Sequence, residues 1–169
     1  MDSIYLDNAA TTPVLPEVVD KMNEVLSASF GNPSSIHSQG RTAKSLIENT
    51  RKSIANELGA LPSEIIFTSG GTEGDNMVLQ GAVRGLGVET IITSKIEHHA
   101  VIHAVESLEQ SDDINVHYVQ VSSDGSPDLT DLEQLLQHDN SKKLVSFMHV
   151  LSLRLRSCFP LRIFPANNL

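Results

Sequence analysis

Phe67-Thr68-Ser69-Gly70-Gly71-Thr72-Glu73 is the stretch whose residue types and order come closest to a binding site. An apolar run of strand type, Ile65-Ile66-Phe67-Thr68, meets two glycines, and a hydroxyl residue opens the helical pattern that follows. Glycines let the backbone approach a ligand closely. The first amides of a helix have no intrahelical acceptor, so hydrogen bonds and the helix dipole both favour an anion there. Thr72 has two uses, as a helix cap or as a hydroxyl donor to a phosphate oxygen. An ordinary strand-to-helix turn with a threonine cap accounts for the same residues. The stretch matches neither the lysine-containing loop of nucleoside triphosphatases nor the GxGxxG dinucleotide fingerprint.

A second group is Glu97-His98-His99-Ala100, with His103 one turn further on. It follows an apolar strand, Thr90 to Thr93, at the end where α/β proteins bind ligands. His99 and His103 have the i, i+4 spacing of two metal ligands on one helix face. The glutamate that an HExxH site needs is replaced by Ala100, and no metal site is expected. His98 is placed to stack its flat ring on a flat aromatic ligand. Surface histidines on a helix are the plainer reading. Ser69 lacks a GxSxG elbow, which argues against a serine hydrolase. The single cysteine, Cys158, has Arg156 nearby but nothing else that marks a nucleophile, and it reads as a free thiol.

The elements that must carry these groups alternate along the chain. Val18, Met22 and Val25 mark a helix face after Pro16, and Gly31 to Ser35 is a loop by composition. Ala43, Leu46, Ile47, Ile54 and Leu58 share the face of a long helix that Gly59 stops. Leu79, Val83 and Leu86 predict a helix ended by Gly85 and Gly87. Thr90 to Thr93, Val116 to Val121 and Leu144 to Val150 read as strands. Ala100 to Leu108 and Leu129 to Leu136 read as helices between them. Strands alternating with helices imply a parallel sheet covered on both faces.

Length and charge bound the rest. The chain has 169 residues, 40% of them hydrophobic and 20% charged, and a formal net charge of −9. Such a balance argues against a general nucleic-acid or anionic-membrane surface. One cysteine excludes an internal disulfide, and no run approaches a membrane span, so a cytoplasmic protein is expected. All 21 acidic residues precede residue 151, whereas residues 151–169 carry Arg154, Arg156 and Arg162 and no acid. This seam reads either as a basic tail, whose Leu151, Leu153 and Leu155 alternate with polar residues like an edge strand, or as unrelated sequence.

The motifs together resemble the cysteine desulfurase branch of the class V aminotransferases, which use pyridoxal 5′-phosphate (PLP). The matching pieces are Tyr5 to Pro13, Gly31 to His37 with Gly40-Arg41, Ile66 to Glu73 with Asp75-Asn76, Ser94-Lys95, Glu97-His98 and Met148-His149-Val150. The resemblance implies that residues 1–150 are the N-terminal part of an incomplete fold-type I PLP-dependent transferase large domain, a parallel-sheet three-layer α/β sandwich. It implies that Gly71 and Thr72 bind the cofactor phosphate, with Ala common at Gly71 in the family, and that His98 stacks on the pyridine ring. L-Cysteine as substrate, sulfur leaving as persulfide for iron–sulfur cluster or thio-cofactor synthesis, a homodimer and a sulfur-acceptor protein follow as family expectations.

The match stops at Val150. Beyond it the family has an asparagine that contacts the cofactor, an Asp for the pyridine nitrogen, a Ser-x-His-Lys motif with the Schiff-base lysine, and a loop with the sulfur-accepting cysteine. Lys21, Lys44, Lys52, Lys95, Lys142 and Lys143 are the six lysines here, and none lies in that context. Residues 151–169 are therefore expected to be an unrelated tail, from a frameshift or truncation. This chain alone is expected to be inactive, without catalytic residues of its own, and to bind PLP weakly or not at all. A related class V lyase or aminotransferase, or a non-catalytic fragment that binds a full-length partner subunit, are the alternatives. The family's sheet further implies that residues 90–94, 115–121 and 144–150 group together while Ile65 to Thr68 stays poorly paired, an aggregation hazard.

Overall fold

Three short parallel strands pair into a sheet. The computed structural model describes residues 4–8, 11–148 and, for the backbone only, 162–164. His149, Val150, the Leu151–Arg156 alternation and Cys158 lie outside the described residues. The chain divides into two compact units, Met1–Phe67 and Thr68–Leu169.

In the first unit, α1 spans Pro16–Ala28 and α2 spans Ser38–Leu58. Pro16 sits in the first turn of α1, where its missing N–H costs nothing. Among the described residues nothing buries α1, and Val18, Val19, Met22 and Leu26 are exposed. The loop before α2 packs backbone against backbone. A Cβ on Gly31 would collide with the Gln39 carbonyl, and one on Gly40 with the carbonyls of Ser35 and Asn32. The His37 imidazole caps α2 by accepting the Gly40 amide at 3.3 Å. Gly59, with φ +64°, ends the helix as the sequence predicts.

Ile65 to Thr68 form no strand, although their residue types favour one. Strand-type residues need a neighbouring ladder, and these pair with no described strand. The Arg51 guanidinium instead donates to the Ile65 carbonyl and lies 4.7 Å from the centre of the Phe67 ring. Ile66 remains 63% exposed. Ile66→Lys is accordingly expected to lower concentration-dependent light scattering while leaving the thermal midpoint of the chain unchanged within a degree or so. A drop of several degrees in circular-dichroism melts would show that Ile66 is packed.

The second unit is a three-layer α/β arrangement. Helix α3 spans Gly71–Gln80 and passes into a π-helical turn at Gly81–Gly85. Then follow β1 (Thr90–Thr93), α4 (His99–Ser111), β2 (Asn115–Tyr118), α5 (Leu129–Gln137), β3 (Lys143–Val145) and β4 (Arg162–Phe164). The strand order is β2-β1-β3-β4; the first three run parallel, and β4 is antiparallel to β3. The predicted strands thus do group together, but β2 and β3 are shorter than the apolar runs that announced them.

Alternation along the strands sorts the two cores. Ile91 and Leu144 point to one face, where Leu79, Val83, Val101, Val105 and Leu108 of α3, its continuation and α4 cover them. Ile92 and Val145 point to the other, packing with Leu132, Leu135 and Leu136 of α5. All four residues of β1 are buried, as expected of a central parallel strand.

Ion pairs close the amino ends of the strands and the far ends of the helices. Lys143, only 3% exposed, donates to Asp139 Oδ1 at 2.5 Å. Arg84 grips both Asp112 oxygens at 3.0 and 2.9 Å. Lys143 holds the Asp139 carboxyl far below its usual range, and Arg84 lowers that of Asp112 to about 2. Because both folded values lie below the unfolded ones, the stabilisation is present above about pH 4 and is lost as the pH falls toward 2. The melting temperature is expected to drop across this window, and less so in the Asp139→Asn variant. An equal acid slope in that variant would remove Asp139 from the account.

Candidate functional site

The carboxyl end of β1 and the first turns of α3 and α4 build the site. The carboxyl ends of the two packed helices are held together by the Arg84–Asp112 pair. Their amino ends consequently also lie side by side. A cleft of about 200 Å3 runs between them, lined by Thr72, Asn76 and Gln80 from α3, by Arg84 from the π-helical turn that continues it, and by Ala100, His103 and Ser107 from α4.

At the start of α3, the N-cap is Gly70, and no side chain caps the helix. Thr72 is therefore not a cap. The amides of Gly71, Thr72 and Glu73 donate to no described residue. Glu73 instead turns its carboxylate back to the Ser69 amide at 2.5 Å, and that hydrogen bond lowers its pKa. A Cβ on Gly71 would meet nothing within 4 Å, so alanine is accommodated there too.

At the start of α4, His98 is the N-cap, and its Nδ1 accepts the Ala100 amide at 3.2 Å. In the neutral ring this puts the proton on Nε2. The His98 side chain is otherwise exposed, 6.4 Å from the ring centre of His99. His99 and His103 stand 5.8 Å apart. Among the described residues no group of three metal-ligating side chains comes together.

Sequence reasoning placed Gly71, Thr72 and His98 at helix starts, and the structure brings those two starts to one end of the sheet. Thr72 lines the cleft, whereas Gly71 and His98 lie outside its lining. It assigned no role to Glu97, although an acid immediately before His98 was a signal. Its side chain is buried, burial pushes its pKa up, and it accepts the Met148 amide. The Thr93 hydroxyl, buried at the carboxyl end of β1, has no hydrogen-bond partner among the described residues. No helix among them is long and apolar enough to cross a membrane.

Residues 4–154 match the family described as aminotransferase class V. The cysteine desulfurase IscS of Dictyoglomus turgidum is 45% identical over 148 residues, covering 86% of this chain and 37% of that protein. A NifS-like protein from Rickettsia africae has a solved structure that superposes with a TM-score of 0.73 at 38% identity, covering 86% of this chain and 39% of that one. SspA, solved in complex with cysteine, gives 0.76 at 32% identity, covering 88% and 42%. The chain therefore spans about two fifths of the length of the relatives it matches. Shared sequence and shared backbone over nearly all the described residues mean that the chain belongs to the class V aminotransferase family.

Proposed function

We propose that this chain supplies the phosphate and ring contacts of a PLP-dependent cysteine desulfurase: Gly71 and Thr72 hold the phosphate, and His98 stacks on the pyridine. The observation that carries this reading is the pair of helix amino ends, one with three free amides and one bearing an exposed imidazole, side by side at the carboxyl end of β1. The donor set fits the cofactor. A phosphate dianion suits the Gly71, Thr72 and Glu73 amides and the Thr72 hydroxyl. Glu73 leaves them free because its charge is turned to Ser69. The Ala100 amide fixes one edge of the His98 ring and leaves its face open for a flat partner.

When bound, PLP supplies the electron sink for reaction at the substrate's amino-bearing carbon. This chain's residues bind and orient it. The proposed overall reaction converts L-cysteine to L-alanine and passes the sulfur on as a persulfide, in a homodimer that serves a sulfur-acceptor protein. It is supported by the relatives named cysteine desulfurase and by the neighbour that holds cysteine.

The test is a chimera in which residues 1–148 replace the matching part of the Dictyoglomus turgidum protein. With an added dithiol to reduce the persulfide, sulfide and alanine are expected from L-cysteine in equal amounts, with Thr72→Ala raising the PLP concentration needed. Alanine formed from pyruvate without sulfide would make the reaction a transamination and overturn the desulfurase reading.

A further inference from the structure

Glu97 is the buried acid for which the proposed cofactor contacts have no use. Glu97 is 9% exposed and does not line the cleft. It reaches from the loop after β1 to the segment leaving β3, where it accepts the backbone amide of Met148. Two strand exits are thereby joined by one side chain. The next residue is His98, whose own Nδ1 is already fixed on Ala100. Asp75 of α3 faces the same carboxylate and, with burial, disfavours its charge, while the amides of Met148 and His98 and the His98 imidazole favour it. A carboxylate kept in such surroundings earns its place only through what it holds.

We propose that Glu97 is the positioning residue of His98: by anchoring the β1–α4 loop to the Met148 amide, it sets the height and tilt of the His98 ring for stacking on the cofactor. The inference rests on the stacking reading of His98 given above. Without the anchor the loop keeps the bonds from the Val101 and Ile102 amides to the His98 carbonyl, the His98–Ala100 bond and the contact of Lys95 with the Tyr118 ring, but it loses its tie to the exit of β3, and with it the fixed orientation of the ring. Glutamine keeps an acceptor oxygen at the same reach and should keep the anchor; alanine removes it.

The experiment uses the full 169-residue chain, with nuclear magnetic resonance as the readout and pyridoxine 5′-phosphate, which has no aldehyde to react with surface lysines, as the probe. In Glu97→Ala the Met148 amide is expected to exchange with solvent at least tenfold faster relative to that of Ile91, and the His98 ring resonances are expected to shift before any probe is added. The probe's dissociation constant should rise about fivefold, as in His98→Ala, the size of one lost stacking contact. Glu97→Gln should restore all three to within about twofold. A Met148 amide and a His98 ring unmoved by Glu97→Ala overturn the proposal, as does a Gln variant no better than Ala. Should Glu97→Ala not fold, a Met148 amide in the unsubstituted chain that exchanges as fast as an unbonded one overturns it equally. If His98→Ala leaves probe binding unchanged, the stacking reading falls, while the Met148 and His98 signals without the probe still judge the anchor.

Discussion

Mixed with PLP and L-cysteine, the 169-residue chain is expected to release no more sulfide than PLP does alone. Cofactor chemistry of this kind needs a lysine to hold PLP covalently and an acid to keep the pyridine nitrogen protonated. None of the six lysines stands in a Ser-x-His-Lys context. Non-covalent retention is weak as well. Two or three charge-assisted hydrogen bonds at ~1.5–3 kcal/mol each, plus a ring stack of about 1 kcal/mol, give roughly 4–10 kcal/mol. Association costs about 4 kcal/mol or more. The net corresponds to a dissociation constant of tens of micromolar at best and millimolar or weaker otherwise. Absorbance of the chain with PLP, followed by borohydride reduction and mapping of labelled lysines, checks this. A single stoichiometric adduct together with cysteine-dependent sulfide would refute it. In the chimera with the Dictyoglomus turgidum protein the opposite result is expected, so the pair of measurements separates a defect of this chain's own site from the want of other residues.

The largest effect on stability is expected from Leu144→Ala. Leu144 is fully buried in β3, flanked by β1 and β4, and belongs to the core that α3 and α4 cover. Truncation removes its transfer free energy and leaves a cavity that a sheet interior closes poorly, a loss of about 2–5 kcal/mol. Small units have only ~5–15 kcal/mol in total, so the Thr68–Leu169 unit should lose much of its stability. The unfolding midpoint in urea is the measurement. Leu26→Ala, at a side chain exposed on α1, serves as the control and should leave the midpoint unmoved. Similar losses at the two sites would mean that Leu26 is packed in solution.

Most of the second unit was legible in the residues. Thr90 to Thr93 is a strand with those bounds because a buried central strand carries no charge, and the charged residues Glu89 and Lys95 lie just outside it. The helix starts that carry Gly71, Thr72 and His98 were legible from glycines and a histidine after apolar runs. Ile65 to Thr68 shows what residue types alone do not decide: β-branched and aromatic side chains favour a strand only when a neighbour completes it. Of the two uses the sequence left open for Thr72, the structure removes the cap, because Gly70 takes that position and three amides of α3 meet no acceptor among the described residues. Glu97 escaped notice since its partner is a backbone amide 51 positions away, and main-chain groups leave no trace in a sequence. The α1 face was read correctly as amphipathic, but periodicity does not say what, if anything, covers it.

The parallel pairing of β1 has a consequence for how the chain is made. Thr90 pairs with Asn115 on one side and with Lys143 on the other, and both partners are translated later. At ~5–20 residues per second, β3 follows β1 out of the ribosome by roughly 3–10 s. During that interval a fully apolar strand edge, Ile91-Ile92, waits with one flank open. Glu89 and Lys95 stand on either side of it and place opposite charges at the two ends of the waiting segment. Such flanking charges discourage self-pairing of nascent chains, so these two surface residues matter for the yield of folded protein during synthesis more than for its stability afterwards.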